Sequence, residues 1–207
     1  MDLDAVWAGI DSERSSMADL LEELSPDEWE TPSLCAAWRV QEVAAHLTLA
    51  HAGLGAALVG AIRAGGSYNR AIRDTAVRAA ALPREEYPRR LRAMVGSRRT
   101  APFITPLEPL IDVLVHGQDI TLPLGRHRPM PAGTAVAAAQ RVWDLGFPFH
   151  ARRRFAGLRL TATDADWAVG AGPAVEGPIA ALLLLLTGRN ALLEELSGEG
   201  RAALALA

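Results

Sequence analysis

The sequence contains no lysine; all 21 of its basic residues are arginine. Alanine is abundant as well, so the absence reads first as a GC-rich coding bias of the kind found in actinobacteria. It removes the force from any argument that a site chose arginine over lysine. Cysteine occurs once, at Cys35, which excludes an internal disulfide and gives no reason to place the chain outside the cell. Met1-Asp2-Leu3-Asp4 is acidic and lacks the basic and apolar regions of a signal peptide. The longest apolar run, Ile179 to Leu186, falls far short of the roughly 20 residues that span a membrane. A cytoplasmic protein is therefore the expectation, with neither membrane nor nucleic acid as a partner. Histidine is also scarce, with five in the chain, so each can be weighed separately.

Half of the 207 residues are hydrophobic, enough for a core without covalent staples. The length suits one large domain or a main domain with a small appendage. A charged fraction of 22 % and a net charge of −3 point neither to disorder nor to bulk nucleic-acid binding. Charge is unevenly spread. Residues 1–46 hold eleven acids and two arginines, whereas ten arginines and three acids lie between Arg63 and Arg99. The arginine block reads as a solvated helix face, or as a rim attracting anionic substrates.

Apolar residues at Leu3, Val6, Ile10, Met17, Leu20, Leu21 and Leu24 follow a helical period. Ser25-Pro26-Asp27-Glu28 reads as a stop and turn, followed by a loop with Trp29, Pro32, Cys35 and Trp38. A second helix is expected from about Val40 to Ala64, ended by Gly65-Gly66-Ser67. Residues 68–99 read as helical but broken near Pro83 and Pro88. A fourth helix is expected over about 107–122 and a fifth over about 132–145. Residues 155–163 partly alternate as a strand does, and 167–170 suit a second short strand. Pro178 suits the first turn of a last helix running to about Leu196. The fold class is thus mainly α: a helical bundle over 1–147, followed by a small α+β unit over 148–207.

Asp112 and His116 stand four apart on the expected fourth helix. Four residues turn a helix by about 400°, so both side chains share one face. This is the spacing by which a helix presents two metal ligands, as in HExxH sites. His46 lies mid-helix in an equally apolar stretch and in an antiparallel bundle can face them. Two nitrogens and a carboxylate leave one position of a tetrahedral zinc open, the arrangement of catalytic zinc; nickel, manganese or iron accept the same ligands. Without a metal, the same residues make a buried His–Asp hydrogen bond. Asp119 either orients a ligand imidazole by hydrogen bonding to it or is an ordinary helix residue. His51 falls about 140° around the helix from His46 and faces elsewhere. His127 and His150 stand beside arginines in loop-like sequence and are expected to face solvent. Cys35, with no charged neighbour in sequence, reads as a packed thiol rather than a nucleophile or fourth ligand. Arg152-Arg153-Arg154 reads as a solvated run. Gly170-Ala171-Gly172 reads as a turn, outside any nucleotide fingerprint.

The segments Leu24-Ser25-Pro26-Asp27-Glu28-Trp29 and Pro32 to Leu47, including Cys35-Ala36-Ala37-Trp38 and Val43-Ala44-Ala45-His46, resemble a known N-terminal signature. It is that of the mycothiol-dependent maleylpyruvate isomerase family, within the DinB-like four-helix metalloproteins. Asp112-Val113-Leu114-Val115-His116-Gly117-Gln118-Asp119-Ile120 resembles the family's second signature. Thr163 to Gly170 and Leu186 to Arg189 resemble its C-terminal domain, which is related to sterol-carrier folds. The resemblance implies a divalent metal, usually zinc, held by His46, Asp112 and His116. The family has glutamate at the position of Asp112, one methylene longer.

What the resemblance implies for activity is an enzyme using a low-molecular-weight thiol, mycothiol, with a small electrophilic substrate. A metal would lower the thiol's pKa; addition and loss after bond rotation isomerises the substrate, and retention gives thiol transfer. Two other readings stand beside it. One is a hydrolase using metal-bound water, with Asp119 or Glu108 as base. The other is a non-enzymatic metal-containing sensor or small-molecule-binding module. No helix-turn-helix signature supports DNA binding. The sequence leaves the oligomeric state open.

Overall fold

The computed structural model describes residues 2–49, 68–100 and 104–206. His51 and the expected continuation of the second helix through 50–64, with its Gly65-Gly66-Ser67 end, lie outside the described residues. The structure divides into two compact units, Asp2–Arg128 and Pro129–Ala207.

Among its described residues, the regular elements of the first unit are helices. Helix α1 (Leu3–Glu22) starts where the Asp2 side chain accepts a hydrogen bond from Ala5 N at 2.7 Å. It buries Val6, Trp7, Ile10, Met17, Ala18 and Leu21 along one stripe. Ser25-Pro26-Asp27-Glu28 does more than stop this helix: it caps a second one, α2 (Pro26–Glu30). Ser25 Oγ accepts from Glu28 N while Glu28 Oε2 accepts from Ser25 N. The short helix delivers Trp29 into the core. Helix α3 (Val40–Leu47) buries Val40, Val43, Ala44, Ala45 and Leu47.

Helix α4 (Tyr68–Ala79) and helix α5 (Glu86–Met94) are separated by the turn containing Pro83. Pro88, expected to break the chain, instead sits buried inside the first turn of α5. A first-turn N–H has no partner within its helix, so proline costs little there. Helix α6 (Leu107–Thr121) packs against α1 and α3. At Gly117 an added Cβ would lie 3.1 Å from Arg128 Nε and 3.3 Å from Met17 Cε, tight contacts that these two side chains would have to relieve by shifting.

The charge asymmetry of the sequence has a structural origin. Helix α5 packs along α1, and Arg92 pairs with Asp19 and Glu22, each at 2.7 Å. Arg98 pairs with Asp11 at 2.7 Å, and Arg84 pairs with Glu30 of α2. Three arginines of the block, Arg84, Arg92 and Arg98, therefore answer the acidic N-terminal segment, while Arg73, Arg89 and Arg90 pair with acids of the block itself. Exposed pairs of this kind contribute about 0–1 kcal/mol each, so they set orientation more than stability.

The second unit begins before the expected strands. Helix α7 (Ala132–Asp144), assigned to the 1–147 bundle from sequence, packs in this unit against α9 (Ile179–Leu186). Helix α9 is apolar on all sides, and seven of its eight residues are buried. Between them lie a short helix α8 (Ala151–Arg154) and three strands: β1 (Arg159–Ala162), β2 (Ala168–Gly170) and β3 (Ala174–Gly177). The order is β2-β1-β3, with β2 antiparallel and β3 parallel to the central strand. Strand β3 was hidden among glycines and a proline. The last helix ends at Leu186 rather than near Leu196, because Gly188 takes φ +88° and turns the chain. The molecule is mostly helical with a small sheet, as expected. Among the described residues, no helix is long and apolar enough to cross a membrane.

Candidate metal centre

Helix α3 and helix α6 bring the expected residues together. His46 lies in the last turn of α3, while Asp112 and His116 share one face of α6. Their ligand atoms all lie within 4.8 Å of one another. The two carboxylate oxygens of Asp112 divide between the rings: Oδ2 is 3.5 Å from His46 Nε2, and Oδ1 is 3.4 Å from His116 Nε2. The shorter aspartate thus reaches both imidazoles. Asp112 is the most open of the three, at 38 % exposure, against 16 % for His46 and 12 % for His116.

The other side of His116 is built differently. Its Nδ1 lies 2.8 Å from Asp119 Oδ2, and Asp119 is fully buried. With Asp119 accepting from Nδ1–H, the neutral ring is the tautomer that turns its Nε2 lone pair toward Asp112 and His46. This is how a carboxylate orients a metal-ligating histidine.

Distances distinguish the two sides. Ligands bound at about 2.0–2.1 Å around a tetrahedral ion stand about 3.3–3.4 Å apart. The 3.4 and 3.5 Å separations on the Nε2 side are close to that edge. They are too long for charge-assisted hydrogen bonds, which run about 2.7–2.9 Å. Cys35, His116 and Asp119 form a second potential metal group, but Cys35 Sγ to Asp119 Oδ2 is 3.0 Å and Nδ1 to the same oxygen is 2.8 Å. Those are hydrogen-bond distances, shorter than the corresponding tetrahedral edges, about 3.5 Å with sulfur and about 3.3–3.4 Å between nitrogen and oxygen. The chemistry of the donor set on the Nε2 side therefore fits a divalent cation.

Electrostatics agree. Burial opposes charge on Asp112, yet the two imidazoles outweigh it and hold the carboxyl well below the usual carboxylate range. Burial likewise opposes charge on His116, but Asp112, Asp119 and Cys35 push it well above the ordinary histidine value. An ionised carboxylate beside imidazoles that favour positive charge makes this a place for a cation, and a metal ion competes with the imidazole protons for the same lone pairs. Arg14, 3 % exposed and donating to the Met94 carbonyl at 3.1 Å, stands in the field of Asp112. Burial lowers its pKa, while Asp11 and Asp112 oppose the shift.

Cys35 is where the sequence reading needs correcting. It has no charged neighbour in sequence, but in space its thiol donates to Asp119 and lies 3.6 Å from His116 Nδ1. The loop over 33–38 places it there. Pro32 bridges Arg39, Ser33 N donates to the Trp38 carbonyl at 2.9 Å, and Leu34 N donates to the Asp119 carbonyl at 3.2 Å. Ala37 closes the turn at φ +65°, a left-handed conformation that an L side chain adopts at a cost of about 1–2 kcal/mol.

The same loop sets Trp38 against both imidazoles. Its ring centroid is 5.3 Å from that of His46 and 6.3 Å from that of His116. Trp38 is 7 % exposed, and its indole N–H has no hydrogen-bond partner among the described residues. Such an orphaned donor costs about 1–3 kcal/mol. Cys35 and Trp38 both fall within the N-terminal signature, but a loop gives no period from which to infer their placement. His127 and His150 are not among the groups placed at this centre, and Glu108 accepts from Thr105 N and Oγ at the start of α6.

Comparison with known proteins follows the same line. Residues 10–101 match the family model described as "Mycothiol maleylpyruvate isomerase N-terminal domain". The match includes His46 and stops short of Asp112. No curated protein sequence matches the chain. Two solved structures share its fold. One is described as the crystal structure of the mycothiol-dependent maleylpyruvate isomerase: TM-score 0.62, 14 % identity, covering 96 % of this chain and 93 % of that one. The other is a histidine-to-alanine mutant of that isomerase: TM-score 0.60, 16 % identity, with the same coverage. Residues 10–101 thus match the N-terminal domain model of the family that the sequence resembles, and nearly the whole chain shares the fold of solved mycothiol-dependent maleylpyruvate isomerase structures.

Proposed function

We propose that this chain is a metal-dependent enzyme that uses a low-molecular-weight thiol, mycothiol, to isomerise or to be transferred to a small electrophilic substrate. The observation that carries the reading is the split of distances around His116: ligand-like edges at Nε2 and a hydrogen bond at Nδ1. His46, Asp112 and His116 would hold the metal, zinc by the chemistry of two imidazoles and a carboxylate. A metal bound there supplies a lowered pKa for a coordinated thiol, giving thiolate at neutral pH. Asp119 fixes the His116 ring and its tautomer, and Cys35 holds Asp119 from behind. The family match and the shared fold support mycothiol as the thiol. The division into a bundle with the metal site over 1–147 and an α+β domain resembling the family's sterol-carrier-like tail over 148–207 belongs to this proposal.

The hydrolase reading has less support. Its two candidate bases are engaged elsewhere, Asp119 by His116 and Cys35, and Glu108 by Thr105. The deciding experiment is metal content with thermal stability. Protein purified without chelator should carry a divalent metal, and mycothiol at about 100 times its Kd should stabilise the fold by about 2.7 kcal/mol. Asp112→Glu should keep the metal and Asp112→Ala should lose it. A parent without metal, or metal-loaded protein indifferent to mycothiol, would overturn the reading.

A further inference from the structure

We propose that the Trp38 indole N–H is the hydrogen-bond donor for the thiol ligand at the His46–Asp112–His116 centre, a contact that makes Trp38 a binding residue. The inference rests on the functional reading above. Its starting point is a comparison between two tryptophans of equal burial. Trp38 and Trp167 are each 7 % exposed. Trp167 Nε1 donates to Gln140 Oε1 at 3.1 Å, as a buried indole normally does. Trp38 Nε1 has no partner among the described residues.

The unpaired donor is not in an indifferent part of the core. The Trp38 ring packs against both candidate ligand imidazoles, tilted 42° to His46 and 39° to His116. It forms an aromatic wall to the centre. The loop that carries it is held by the Ser33–Trp38 hydrogen bonds, through both backbone and Ser33 Oγ, the latter at 2.8 Å. The ring is thus held in place by its own backbone rather than by its N–H. A buried donor left without a partner, on a ring that packs against a ligand site, is a group that a bound ligand can satisfy. The anionic sulfur of a thiolate, or the oxygen of a carboxylate, is the acceptor type such a donor would take. The Cys35 thiol is engaged with Asp119, so the sulfur in question is that of the bound thiol.

The test is nuclear magnetic resonance of the zinc-loaded protein with 15N-labelled tryptophan. Zinc content is measured first. Mycothiol is then added, with acetate in a parallel sample to separate a sulfur from a carboxylate acceptor. The expected result is a downfield shift and slowed solvent exchange of one indole proton, that of Trp38, with mycothiol and not with acetate. Trp38→Phe keeps the ring and removes the donor; it should retain zinc and bind mycothiol roughly tenfold more weakly. If that variant fails to fold, the Trp38 signal is assigned by elimination from Trp7→Phe, Trp29→Phe, Trp143→Phe and Trp167→Phe, and the shift decides alone. A parent that binds no zinc or no mycothiol overturns the functional reading and this inference with it. Zinc and mycothiol bound with the Trp38 signal unmoved, or a response to acetate alone, overturns this inference and leaves the functional reading standing.

Discussion

The two nitrogens of His116 face regions built on different principles. On the Nδ1 side, Asp119 and Cys35 close at 2.8 and 3.0 Å, Asp119 is fully buried, and the loop over 33–38 is bonded to α6 through Leu34 N. On the Nε2 side, Asp112 stands at 3.4 Å, a second imidazole joins it, and more than a third of the Asp112 side chain is exposed. The first region spends its polar groups on one another. The second leaves lone pairs converging with room between them. A tight hydrogen-bonded side and an open side thus occupy opposite edges of one ring, and under the proposed metal reading the first fixes the orientation that the second needs.

Removing the shared ring should erase the comparison and give the largest effect. His116→Ala should lower zinc affinity by more than about 100-fold, since His46 and Asp112 are left with two donors. Elemental analysis checks it, with His127→Ala expected to match the parent. Asp119→Asn should come next, costing about 10–100-fold in zinc affinity, the range for loss of an orienting carboxylate. Competition titration with a zinc indicator reads this, and an unchanged affinity would show that the Nδ1 side is not needed for orientation. Cys35→Ala should weaken zinc binding only about fivefold, the worth of one hydrogen bond acting through Asp119. A loss as large as that of His116→Ala would make Cys35 a ligand. The smallest effect is expected from Ala37→Gly. The left-handed turn costs alanine about 1–2 kcal/mol, and the extra freedom of glycine in the unfolded chain costs about 0.5–1. The variant should therefore gain up to about 1.5 kcal/mol, read as a rise in Tm of a few degrees at unchanged zinc content.

What the sequence disclosed follows the same division. His46, Asp112 and His116 were legible because histidine is rare here and helix periodicity turns a four-residue spacing into a shared face. Asp119 was legible for the same reason, three residues beyond His116. Cys35 and Trp38 were not, because the left-handed Ala37 and the Ser33 hydrogen bonds that aim them have no periodic signature. In the fold, α1, α6 and α7 were readable from apolar spacing, whereas β3 is too short and too small in its side chains to stand out. The last helix was drawn too long because the leucines at 192, 193 and 196 keep a helical rhythm past the turn at Gly188. The pairing of the arginine block with the acidic N-terminal segment needed the packing of α5 on α1, which composition alone does not specify.

The most direct test of the division around His116 is zinc K-edge X-ray absorption on the zinc-loaded protein without added thiol. The account predicts nitrogen and oxygen neighbours alone, at about 2.0–2.1 Å, because His46, Asp112 and His116 bind through Nε2 and carboxylate oxygen while Cys35 stays hydrogen-bonded to Asp119. A sulfur neighbour at about 2.3 Å would place the metal on the Cys35 side and contradict it, as would a protein that takes up no zinc.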